Sequence, residues 1–173
     1  MMTFRFAKCA VAVGAIGLAA VLPSNAQAAD ATATSTATIA TAIGLAKTVD
    51  MVFGSISPGG TTGTVILATD GSRTTTGGTS VLSGGPGAAA SFDVTGANNA
   101  TYSITLPGSV SLTGTGPAMT ANAFISSPTP TGTLSGGGTE TLLIGATLAV
   151  DTTGNQTAGV YTSAAFTVTV NYN

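Results

Sequence analysis

The sequence predicts an all-β fold: a single antiparallel immunoglobulin-like or pilin-like β-sandwich, preceded by a cleaved N-terminal signal peptide. Three observations carry this expectation. Apolar residues alternate with Thr, Ser and Asn in short runs, which is the two-residue period of a strand with one buried face. Clusters of Gly, Pro and Asn separate the runs, and no stretch after the leader has the spacing of an amphipathic helix. The 24 Gly and 7 Pro among 173 residues supply the turns, while only 6% of residues are charged, so Thr and Ser must keep the wet faces soluble. About nine short strands fit a two-sheet sandwich best. A small closed barrel is the alternative.

The leader is expected over residues 1–28. Arg5 and Lys8 give a positive start, and Cys9–Leu22 is an uncharged apolar run. Pro23 and Ser24 end that run, which is shorter than the roughly 20 residues of a spanning helix. Ala26-Gln27-Ala28 is a small-x-small signal, placing cleavage between Ala28 and Ala29. The organisation expected is therefore a signal peptide at 1–28, an N-terminal extension or first strand at 29–45, and a sandwich domain at 46–173. The protein is expected to be exported, with no membrane insertion once the leader is removed.

The elements follow in order. Ala29–Ser35 is a tail of small residues. Ala37, Ile39, Thr41, Ile43 and Leu45 share one face of an extended chain. Val49, Met51 and Phe53 form a second alternating set, closed by Ser57-Pro58-Gly59-Gly60. Val65 and Leu67 mark a short strand before Asp70-Gly71. The stretch 71–87 reads as loop, with a weak strand at 79–82. Phe92 and Val94, then Tyr102, Ile104 and Leu106, read as a hairpin joined through Asn98-Asn99. Val110 and Leu112 make a brief strand, and Met119–Ile125 another. Pro128 and Pro130 cannot donate to a ladder and belong in a loop or at an edge. Leu142, Ile144, Ala146, Leu148 and Val150 form the longest alternation in the middle of the chain. Phe166, Val168, Val170 and Tyr172 form the last one.

The residue inventory excludes several kinds of chemistry. There is no His, and the one Cys is Cys9 in the leader, so histidine triads, thiolate nucleophiles and Cys/His metal sites are all absent. Beyond the leader only Lys47 and Arg73 are basic, too few for a nucleic-acid surface. The six acids are scattered, mostly beside turns. Asp70-Gly71-Ser72 and Asp151–Asn155 lack the spaced ligand set of a calcium loop. The glycine clusters at 84–87 and 136–138 lack the pattern of a phosphate loop. Asn99-Ala100-Thr101 and Asn155-Gln156-Thr157 fit the short acceptor triplet for N-linked sugar. Tyr102, Tyr161 and Tyr172 suit core or edge packing better than a sugar-stacking platform. No catalytic residue, cofactor or metal is expected.

Several stretches resemble one family. Val49-Asp50-Met51-Val52-Phe53-Gly54-Ser55-Ile56, Ala89–Gly96, Ala100–Pro107, Leu142–Leu148 and Ala158-Gly159-Val160-Tyr161 are similar to the proteobacterial secreted family called domain of unknown function 4402. This resemblance implies a bacterial protein of the periplasm, cell surface or medium with a β-sandwich fold, and implies no activity. More distantly, the C-terminal run ending in Tyr172 resembles chaperone–usher pilins and spore-coat-U-type subunits, although their usual cysteine pair is missing and Gly159 sits one residue from the usual place. That second resemblance implies an incomplete sandwich finished by a strand from the next subunit, the partners being copies of itself or related subunits and a periplasmic chaperone. Ala29–Ile43 is then the candidate extension, with Ala37, Ile39, Thr41 and Ile43 entering the groove, and Ile39, Ile43, Phe166, Val168, Val170 and Tyr172 mark the candidate assembly strands. The expected function is a non-enzymatic structural subunit, fimbria-like and assembled by strand complementation. The alternative is a self-contained extracellular module for glycan binding or surface adhesion, using the polar loops at 71–87 and 126–138.

Overall fold

The structure is a computed structural model that describes residues 28–150 and 156–173. Residues 1–27, where the signal peptide is expected, lie outside the described residues, as do residues 151–155. The chain divides between Ala37 and Thr38. The described residues of the first unit, 28–37, are exposed and carry no strand. The second unit holds thirteen strands, and among the described residues no helix forms.

The longest strand is β11 (Thr139–Val150), and the rest of the fold is arranged about it. Its inward residues Leu142, Ile144, Ala146, Leu148 and Val150 are all buried, as the alternation predicts. Along one edge it pairs antiparallel with β9 (Met119–Ser127). Along the other edge it changes partner. Thr139–Ile144 pair with β6 (Ala90–Thr95), and Ala146–Val150 pair with β3 (Gly63–Leu67). The switch falls at Gly145. A Cβ built there would lie 2.2 Å from the Leu67 carbonyl oxygen, so only glycine lets β3 take over where β6 leaves.

The main sheet has eight strands. Its outer members are β1 (Gly44–Val49) beside β6, β4 (Arg73–Gly77) beside β3, β8 (Ser109–Thr113) beside β9, and β12 (Thr162–Ser163) beside β8. A second sheet of three strands is ordered β10 (Thr131–Thr133), β7 (Thr101–Thr105), β13 (Thr169–Tyr172). A ribbon of two short strands, β2 (Ile56–Ser57) and β5 (Ser80–Val81), completes the set. Both sheets are antiparallel, and together they form the sandwich the sequence predicts.

Four local expectations are corrected. The runs at 92–95 and 101–106 are not a hairpin: β6 pairs with β1 and β11, whereas β7 pairs with β10 and β13. Asn99, in left-handed conformation at φ 57°, turns the chain from one sheet to the other. The stretch 71–87 contains a real strand, β4, whose Thr74, Thr75 and Thr76 pair with β3 without any apolar signal. Of the alternating residues 37–45, only Gly44 and Leu45 enter a strand. The C-terminal run also divides. β12 joins the main sheet, β13 joins the second sheet, and Ala164–Val168 cross between them.

Strand β9 carries a bulge. Gly145 faces Ile125 and Thr147 faces Asn122, so β9 has one residue more than β11 over this span. Ala123 takes up the extra residue at φ 46°. The bulge shifts the alternation, so that Met119 and Ala121 before it and Phe124 and Ser126 after it all turn inward. Phe124 thereby sits where the two halves of the core meet, packed against both clusters and 5.5 Å from the ring centre of Phe166.

Candidate functional site

Those two core clusters are covered by different parts of the chain. The first is built on Phe92, Val94, Leu142 and Ile144 of the main sheet. Tyr102, Val170 and Leu134 cover it from the second sheet and the chain beside it. It is a sealed sheet-on-sheet core. Tyr102 is fully buried, and its hydroxyl donates to Glu140 Oε2 at 2.8 Å, joining β7 to β11. Burial, together with that carboxylate, holds the Tyr102 phenol well above the ordinary tyrosine value.

The second cluster lies over the other half of β11, with Val65, Leu67, Met119, Ala121, Leu148 and Val150 as its floor. The three-stranded sheet packs on the other cluster, and what lies here is two irregular segments. Asp50–Pro58 runs along one side and Gln156–Ser163, with Phe166, along the other. Between them is a cavity of about 1010 Å³, floored by Leu112, Met119, Ala121, Leu148 and Val150. A second cavity of about 510 Å³ lies between Thr105–Ser111 and Ala164–Thr169, and Phe166 borders both. Well-packed interiors leave few voids larger than a water molecule. Met119, Ala121, Leu148 and Val150 are nonetheless buried, with Phe53 in their cluster and Met51, Ile56 and Tyr161 packed against it.

The walls are held unequally. Val52 exchanges two backbone hydrogen bonds with Ala88, and Ser55 bonds to Gly85 and Leu82, so the outer edge of Asp50–Pro58 is pinned. Arg73 Nη1 donates to the Phe53 carbonyl at 2.8 Å and fixes the same wall from β4. The opposite wall is looser. Tyr161 donates to the Thr157 carbonyl and Thr115 to the Ala158 carbonyl, but Ala164–Val168 make no backbone hydrogen bond among the described residues. Gln156 Nε2 donates to the Pro117 carbonyl at 2.9 Å, while Gln156 Oε1 is buried with no partner among the described residues.

The residues named from sequence fall as follows. Phe166 and Val168 are half-buried, Val170 is buried and Tyr172 is half-buried, all four turned toward the core that their alternation predicts. Phe166 also lines the cavity. Ile43 packs against the sealed cluster of its own chain. Ile39 is 97% exposed, the barest large apolar side chain described. Ala28 and Ala29 are exposed and outside any strand. The Tyr172 hydroxyl accepts from the Ala97 N–H at 2.7 Å and donates to the Thr41 carbonyl at 2.8 Å. This anchors the chain at Thr41. Sequence reasoning did not find the cavity, Arg73 or Gln156, because none of them belongs to an alternating run.

The other candidates are structural. Asp70 Oδ1 accepts from the Ser72 N–H at 2.8 Å and closes a turn, and the Ser72 side chain first, then that N–H, lower the Asp70 pKa. Among the described residues no three Asp or Glu gather where a metal ion would sit. Tyr102 is sealed inside and Tyr161 packs on the open cluster, so the three tyrosines share no single exposed platform. Comparison with curated proteins and with solved structures returns no match. One family model does match, over residues 43–172, and the chain belongs to that family, described as "Domain of unknown function (DUF4402)".

Proposed function

We propose that this protein is a non-enzymatic structural subunit of an exported, fimbria-like assembly whose copies join by strand addition. The open half of the sandwich is the acceptor. The extended segment before Thr41 of a second copy is the donor. One observation carries the reading: Leu112, Met119, Leu148 and Val150 border a cavity of about 1010 Å³ whose other walls, Asp50–Pro58 and Gln156–Ser163, hold only two-residue strands. Strand addition fits such a gap, because backbone hydrogen bonds give affinity and alternate side chains fill the floor.

The donor segment has the matching pattern. From Ala29 to Ile39, every odd position is Ala, Ser or Ile, and every even position from Thr32 to Thr38 is Thr. Laid out as a strand, that is one small apolar face and one hydroxyl face. Ile39, almost wholly exposed, is its largest apolar side chain. Burying it would contribute about 1.5–3 kcal/mol. Ile43 packs against the sealed cluster of its own chain, so the proposed donor is drawn to end before it.

The test is deletion of residues 29–40, which spares Thr41 and Ile43. Size-exclusion and electron microscopy of the exported product should then show single chains where the full chain forms long assemblies. Identical fibres from the deletion variant would overturn the proposal.

A further inference from the structure

We infer that the free edge of β4 is a contact surface for a second copy of this chain, the two β4 strands pairing antiparallel about Thr75. This contact does not involve the cavity and uses none of residues 29–40, so it goes beyond the strand-addition reading and does not rest on it.

The main sheet ends in three strands, and they differ in what a neighbour would meet. β12 has only two residues. β1 is interrupted by a bulge, its register shifting between Lys47 and Val49, and it carries the exposed Lys47 that pairs with Asp50. Bulges and lysines keep edge strands from pairing with other molecules. β4 has neither. It pairs with β3 alone, from Arg73 to Gly77, in unbroken register. It contains no Pro, and its one charge is Arg73, whose Nη1 is turned to the Phe53 carbonyl of its own chain. On an edge strand every second residue points its N–H and C=O away from the sheet. Among the described residues β4 makes no backbone hydrogen bond outside its ladder with β3, so those groups have no partner there.

The edge is complementary to itself. Antiparallel pairing about Thr75 sets Thr74 opposite Thr76 of the copy and Arg73 opposite Gly77. Thr74 and Thr76 are exposed, on the face that carries Ile66 and Thr64. The Thr76 hydroxyl already lies 2.7 Å from that of Thr64 across the β3–β4 ladder. A hydroxyl both donates and accepts, so the same row can continue into the next copy. The two Arg73 residues would stand four positions apart along the pair, roughly 13 Å, beyond the Debye length of about 8 Å at physiological salt. Such a two-fold pairing closes on itself and joins copies two by two. Five residues of ladder make a weak contact, since net backbone hydrogen bonds barely offset the freedom lost on association. The pair therefore forms between copies already held close, where the effective concentration reaches about the millimolar range.

The test uses the full exported chain at about millimolar concentration, in a Cys9→Ser background so that an introduced thiol is the only one. Thr74→Cys and Thr76→Cys are prepared separately; both positions are exposed, so neither change touches the core. Opposed residues of an antiparallel pair have Cβ atoms about 4.5–5.5 Å apart, within easy reach of a disulfide. Under mild oxidation the mixture of the two variants should give disulfide-linked pairs about 10-fold faster than either variant alone, because only positions 74 and 76 face each other. The same variants lacking residues 29–40 should link as fast. A mixture no faster than its components would overturn the pairing and leave strand addition standing. Linkage that disappears with residues 29–40 would assign it to strand addition and overturn the role of β4.

Discussion

Replacing Tyr102 with Phe tests how the sealed half of the sandwich is held. The substitution keeps the ring, which is fully buried, and removes the hydroxyl that donates to Glu140 Oε2. A hydrogen bond to a carboxylate contributes about 1.5–3 kcal/mol. Glu140 is half-buried and can take up water when the phenol leaves, so the low end applies, ~1.5 kcal/mol at pH 8. The difference must then change with pH. The folded chain holds the Tyr102 proton to a higher pH than the unfolded chain does. The unfolded tyrosine ionises near pH 10, so the contribution is complete below that and declines as pH rises. The decline approaches ~1.4 kcal/mol per pH unit and stops only at the folded pKa. By about pH 11 it equals the hydrogen-bond term, and the stabilities of wild type and variant should cross. Urea unfolding followed by far-ultraviolet circular dichroism at pH 8, 9, 10 and 11 measures this. Titration of every other group cancels in the difference between the two proteins. A gap that stays constant over that range would refute the assignment.

Three further substitutions test the frame of the site. Gly145→Ala forces a methyl against the Leu67 carbonyl at the partner switch of β11, and should cost at least 1–3 kcal/mol in chemical denaturation. Ala123→Gly should raise stability by roughly 1 kcal/mol, against the usual loss for glycine in a strand, because Ala123 sits at φ 46°. Tyr172→Phe removes the bonds to Ala97 and Thr41, and should cost about 1–2 kcal/mol while accelerating hydrogen exchange and proteolysis around Thr41.

The sequence made the faces of the strands legible and left most of their partners hidden. Alternation in Leu142–Val150 and in Phe166–Tyr172 told which side chains turn inward, because that depends only on the two-residue period. It could not tell that β11 has two partners along one edge, nor that β6 and β7 part into different sheets. Pairing depends on tertiary geometry that a local pattern does not record. The strand of Thr74, Thr75 and Thr76 was invisible because its signal is backbone pairing, with no apolar residue to show it. The bulge at Ala123 was hidden too, and without it Phe124 would face solvent. The open half was legible only as a suspicion drawn from resemblance. Its location required knowing that the C-terminal run leaves one sheet at Ser163 and reaches the other at Thr169.

Where the donor segment is anchored bears on which chain fills the gap. Tyr172 binds Thr41, and both Tyr172 and Ile43 belong to the sealed cluster. From there the chain runs through β1 to Met51 and Phe53, which reach the open cluster. The chain at Thr41 is thus rooted beside the sealed cluster. Residues 29–40 are a stretch of Ala, Thr, Ser, Ile and a single Asp with no Gly or Pro. Reversal is what such a composition resists, and extension is what its alternating faces favour. Twelve residues drawn out as a strand span about 40 Å, more than the breadth of a small domain. Residues 29–40 thus have the length and the alternating faces that the proposed strand addition to a second copy requires.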